Sequence, residues 1–107
     1  MRSRDEQIQI ANTIIMQLGG CRFKAMTGAR NFFATETGLT FRIPGGGGFA
    51  KNGINHIAIN LNSLDLYDME FKRVRGSSVK TIVEHKTISG FMLQSIFTAE
   101  TGLNTHL

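Results

Sequence analysis

His56-Ile57-Ala58-Ile59-Asn60-Leu61-Asn62-Ser63-Leu64-Asp65-Leu66-Tyr67-Asp68-Met69-Glu70-Phe71-Lys72-Arg73-Val74-Arg75 is the stretch on which the fold turns. Apolar residues recur at every second position on both sides of Ser63-Leu64-Asp65: first Ile57, Ile59 and Leu61, then Tyr67, Met69 and Phe71. A period of two places these side chains on one face of a strand and their polar neighbours on the other. Ser and Asp favour a turn between the two runs, so they pair as an antiparallel unit. The spacing predicts strands over 56–62 and 66–75.

The same reading extends outward. Gly76-Ser77-Ser78 turns the chain into a further strand over 79–87, for which two registers stay open: Val79, Thr81 and Val83 compete with Ile82 and Ile88 for the core face. Upstream, 39–43 alternates, with Leu39, Phe41 and Ile43 inward and Thr40 and Arg42 outward. Pro44 and the glycines Gly45, Gly46, Gly47 and Gly48 end that strand, and Asn52-Gly53 is a turn signal. A first strand is predicted over 21–27, with Cys21, Phe23 and Ala25 on one face and Arg22, Lys24 and Met26 on the other. The segment 29–37 reads as an irregular loop with Phe32 and Phe33 tucked beneath it.

Helices close both ends. Over 5–18, Ile8, Ala11, Ile15 and Leu18 form a stripe that Ile14 widens; Asp5 and Glu6 suit the positive helix start, and Gly19-Gly20 ends it. From 90 or 91 to 101, Leu93, Ile96 and Phe97 make a second stripe, with Ser89 as N-cap and Gly102-Leu103 as a glycine cap. The expected fold is α+β: one antiparallel sheet of about five strands flanked by an N-terminal and a C-terminal helix (α-β-β-β-β-β-α).

The 107 residues, 41% of them hydrophobic, suit a single domain with one core, and eight Phe with no Trp supply its bulk. The lone Cys21 excludes an intrachain disulfide and a multi-cysteine zinc site, and reads as a small core residue. No apolar run approaches the ~20 residues of a membrane span, and the polar first helix does not suit a signal peptide, so a cytoplasmic location is expected. His56, His85 and His106 lie far apart without metal-ligand spacing, Asp65 and Asp68 need not converge, and Ser77-Ser78 reads as a turn. No enzyme, metal or cofactor is expected.

A net charge of +4 favours polyanionic partners. Once Phe23, Phe41, Ile59 and Phe71 face the helices, alternation puts Arg22, Lys24, Arg42 and Lys72 on the opposite face, diluted by Asp68 and Glu70. Arg73 and Arg75 end the fourth strand, and Lys51 follows the glycines; these seven cations are the expected nucleic-acid contacts. Phe32, Phe33 and Phe49 fall in loops and read as core anchors rather than stacking platforms. Gly45 to Gly48, Phe49, Asn52 and Asn55 form a candidate nucleotide or partner loop, although it lacks the Lys-Ser/Thr ending of a phosphate-binding P-loop.

Ala25-Met26-Thr27-Gly28-Ala29-Arg30-Asn31-Phe32, Phe49-Ala50-Lys51-Asn52-Gly53-Ile54-Asn55, and Leu93-Gln94-Ser95-Ile96-Phe97 through Thr101-Gly102-Leu103 together resemble small uncharacterised proteins of bacteriophages and other mobile elements. The tetraglycine departs from that pattern. The resemblance carries no assigned activity and transfers no site residue. It implies residence in a bacterial host and three classes of role: nucleic-acid binding, modulation of a host defence protein by direct contact, or sequestration of a nucleotide. The exposed sheet edges leave a homodimer open.

Overall fold

A computed structural model describes residues 3–20, 23–24, 29–43 and 54–102. Five strands, β1 (Arg30–Ala34), β2 (Gly38–Arg42), β3 (His56–Leu61), β4 (Tyr67–Arg75) and β5 (Ser78–Ile88), form one antiparallel sheet in chain order. Helix α1 (Arg4–Leu18) precedes it; a 3-10 turn (Gly90–Met92) and helix α2 (Leu93–Thr101) follow. The α+β architecture is the expected one.

The centre of the sheet follows directly from its alternation. Ile57 and Ile59 of β3 pair with Phe71 and Met69 of β4, and with Phe41 and Leu39 of β2, and all six are buried. Asn62 makes the β3–β4 turn: its side-chain oxygen accepts from the backbone N–H of Leu64 and Leu66, which lets Asp65 take a left-handed φ of 58°. The helices cover this apolar face. Ala11, Ile14 and Leu18 of α1 and Leu93 and Phe97 of α2 complete the core, and the Gln94 amide donates to the Leu18 carbonyl at 3.1 Å. The α1 stripe is therefore centred on Ala11, Ile14 and Leu18, and Ile8, expected inside, is 41% exposed. Ser3 caps α1 by accepting from the Glu6 N–H, and Gly20, at φ +63°, ends it by donating to the Ile15 carbonyl. Ser89 precedes the 3-10 turn without a side-chain cap bond, contrary to expectation. Gly102 closes α2 in the left-handed conformation, as its sequence predicts.

The predicted first strand is wrong where it can be seen. Phe23 and Lys24 are helical, and the Lys24 N–H donates back to the Gly20 carbonyl. Phe23 is buried all the same, as the hub of an aromatic cluster. It meets Phe41 and Phe97 edge-on at 5.3 and 5.2 Å, while Phe32 stacks on Phe41 at 5.3 Å. Such contacts add about 0.5–1.5 kcal/mol per pair beyond buried area. The rest of the predicted segment, Cys21 and Arg22 included, lies outside the described residues. The true β1 occupies the segment read as a loop.

Two irregularities shape the sheet edges. In β1, Arg30 pairs with Arg42 and Phe33 with Thr40, so Asn31 and Phe32 stand opposite the single residue Phe41: a β-bulge, with Asn31 at φ 58°. In β5 the register slips twice, beside Ile82 and again before Ile88, where Thr87 also has φ 58°. The second slip is held by Asp68, whose carboxylate accepts from the Thr87 N–H at 2.9 Å. Neither candidate register for β5 is therefore right along its whole length: Val83 and Ile88 face the core, Ile82 packs against it, and Val79 is exposed.

Candidate functional site

Among the described residues, no element packs on the sheet face opposite the helices. Cross-strand pairing assembles one row on that face. Arg30 opposes Arg42, Arg42 opposes His56, His56 opposes Lys72, and Lys72 opposes Thr81. Adjacent strands lie about 4.8 Å apart, so the row from Arg30 to Lys72 spans roughly 14 Å. Three permanent cations and a histidine thus line up across four strands, although they are spread over 43 positions of sequence.

The groups in this row influence one another. Burial, followed by the charges of Lys72 and Arg42, holds the His56 imidazole below its ordinary pKa. Its Nδ1 is buried without a hydrogen-bond partner among the described residues. Lys72 leans toward Glu70, 3.5 Å away on the same strand and face. Arg30 and Arg42 are exposed and keep their charge toward solvent.

The neighbouring row, about 7 Å further along the strands, runs from Phe33 through Thr40, Ala58 and Glu70 to Glu84. Ala58 is buried between the longer side chains of Thr40 and Glu70. Phe33, at the other end, is 63% exposed. The bulge explains its position. Arg30 and Phe33 are three residues apart and would face opposite ways on a regular strand. The extra residue brings both to the open face while Phe32 enters the core.

The expected contacts divide on this geometry. Arg42 and Lys72 share the open face, as alternation requires. Lys24 does not, because its ammonium sits 4.9 Å above the Phe32 ring, on the helix-bearing side. Arg73 and Arg75 alternate with Lys72 and so point away from it; Arg73 opposes Lys80 near the hairpin tip. Arg22, Lys51, the four glycines, Phe49 and Asn52 lie outside the described residues. Asn55, expected in a ligand loop, instead extends the sheet: its amide nitrogen donates to the Val74 carbonyl and its oxygen accepts from the Val74 N–H, both at 2.8 Å. Arg30 and His56 were not anticipated as site residues, and Phe33, weighed as a stacking residue but read as a core anchor, is exposed instead. The available signal was Asn31, a residue that tolerates the left-handed bulge conformation, between an arginine and two phenylalanines.

A separate cleft of about 350 Å³ lies between α1 and the ends of β3 and β4, lined by Glu6, Gln9, Ile10, Thr13, Leu61 and Tyr67. Its charged lining residue is acidic, which does not suit a phosphate ligand. No described helix is long and apolar enough to cross a membrane. Comparison with known proteins finds no matching family model, curated protein or solved structure.

Proposed function

We propose that the protein binds nucleic acid through the open face of its sheet, as a small accessory protein of the phage-borne kind rather than as an enzyme. The observation that carries this reading is the cross-strand row Arg30, Arg42, His56 and Lys72. Arg30, Arg42 and Lys72 set three positive charges along one line of roughly 14 Å, which suits a polyanion laid across the strands, and each phosphate neutralised releases counterions. The interior of the row supports the same reading. Burial and the charges of Lys72 and Arg42 hold the His56 pKa down, and a phosphate over the row would offset those two charges and so favour the protonated imidazole. The acidic groups on this face, Glu70, Glu84 and Asp68, lie to one side of the row and leave its Arg30–Arg42 end open.

Paired charge reversals test the proposal. Arg30→Glu with Arg42→Glu should abolish binding of labelled oligonucleotides at low salt, whereas Arg73→Glu with Arg75→Glu, on the other side of β4, should retain it. Equal losses from the two pairs would refute the assignment of the face. A complex with an acidic host protein that survives nuclease treatment, alongside no oligonucleotide binding, would replace nucleic acid by protein as the partner.

A further inference from the structure

We infer that the open face takes a single strand rather than a duplex, with Phe33 as the platform on which an unpaired base stacks. This rests on the nucleic-acid reading above and names the form of polymer that the same surface fits.

An isolated exposed aromatic is ordinary on a protein surface and by itself signifies nothing. Phe33 differs in how it comes to be exposed and in what lies beside it. Its neighbour Phe32 is drawn into the aromatic cluster, stacked on Phe41 and edge-on to Phe23. A regular strand carrying Phe33 outward would turn Arg30 inward. The bulge at Asn31 breaks that alternation, and its result is an arginine and a phenylalanine side by side on one face. Arg42, one strand over, lies diagonally across from Phe33, because Phe33 opposes Thr40 two residues away. An exposed ring with two arginines at neighbouring positions of the same face is the pairing that single-strand surfaces use: cations track the backbone while an aromatic offers its face to a base. A duplex keeps its base faces inside its own stack, so it offers the ring nothing to stack on.

The chain contains no tryptophan, so Phe33→Trp installs a single reporter at the platform. The probes are a single-stranded DNA and a single-stranded RNA of about 12 nucleotides, within the range one such surface covers, and the blunt duplex of the same sequence. The single strands should quench the Trp emission with affinity retained, and the duplex should leave it unchanged. Phe33→Ala should weaken single-strand binding about tenfold, the order of loss from removing one base–aromatic stack, with duplex binding unaltered. Its melting temperature, read in parallel, should match the parent because the ring is exposed. Binding of single strands without quenching, or equal losses for single strand and duplex in Phe33→Ala, would overturn the inference while leaving the nucleic-acid reading in place. Failure of the unmodified protein to bind any of the three probes at low salt would remove both.

Discussion

Replacing Arg42 by alanine should change how binding responds to salt, and the size of the change follows from the row. Among the described residues, Arg30, Arg42 and Lys72 are its permanent cations; His56 lies between Arg42 and Lys72 and is held toward its neutral form. If each cation meets one phosphate of a single strand, the slope of log affinity on log salt is about −2, from roughly −0.7 per contact. Between about 50 mM and 200 mM salt, affinity then falls about 18-fold. Arg42→Ala removes one contact, which leaves a slope of about −1.4 and a fall of about 7-fold over the same interval. The opposite perturbation is also available. Lys72 is paired with Glu70 at 3.5 Å, with both side chains partly exposed, so Glu70→Gln removes a competing carboxylate and should raise affinity while leaving the slope at about −2, since Lys72 is already one of the three contacts. Anisotropy of a labelled single strand, titrated at four or more salt concentrations above neutral pH, measures all three slopes. Arg75→Ala is the internal control, because Arg75 points to the other side of the sheet and should leave the slope alone. A slope that Arg42→Ala does not reduce, or that Arg75→Ala reduces as much, refutes the reasoning.

Two further outcomes probe the scaffold and the titrating group. A Cβ added at Gly38 would collide with the Ile59 carbonyl oxygen and come within 2.8 Å of the Asn60 Cα, both rigid backbone of β3, so Gly38→Ala should cost about 3 kcal/mol; a denaturant midpoint equal to the parent's would contradict this. For His56, folding lowers the pKa through burial and the charges of Lys72 and Arg42, so the unfolded chain takes up the proton first. Its contribution to stability is complete above the ordinary histidine pKa and is lost as pH falls below that value toward the folded pKa. Urea midpoints from about pH 8 to about pH 5 should therefore decline more in the parent than in His56→Gln, and identical profiles would exclude the effect.

How much of this was legible in the sequence depended on whether period two survived into the structure. β3 and β4 pair without a slip, so Ile57, Ile59, Met69 and Phe71 were identified as core, and Lys72 as outward, from spacing alone. β5 slips beside Ile82 and again at Thr87, and a single-register reading could not follow it. The first strand failed for a related reason. Residues 21–27 alternate in composition, yet the left-handed Gly20 that ends α1 leads into another helical stretch at Phe23 and Lys24. Burial of Phe23 satisfies either reading, so hydrophobicity could not separate them. The true β1 was hidden because its bulge sets Phe32 and Phe33 together, a doublet that reads as a loop. The site was less legible than the fold, since Arg42 and Lys72 follow from alternation within their own strands. Their alignment with His56 and Arg30 depends on register between strands, which only the folded sheet supplies.

That register also gives the open face a direction. The cationic row and the row from Phe33 to Glu84 run side by side across the same strands. The second begins with an exposed ring at β1 and ends in the paired carboxylates Glu70 and Glu84 on β4 and β5. A backbone lying over Arg30 and Arg42 has its bases toward Phe33. The same backbone shifted by one row would meet Glu70 and Glu84 and be repelled. Like charges opposed across strands are destabilising on their own, so the Glu70–Glu84 pair costs the sheet something in isolation, and Lys72 offsets only the Glu70 half of it. On the proposed reading, its effect on a bound polyanion would be to confine it to the cationic row. The acidic residues that dilute the net charge of the face would then make the proposed binding selective in position. Glu84→Gln should therefore leave affinity nearly unchanged while loosening the single bound arrangement that Phe33→Trp quenching reports.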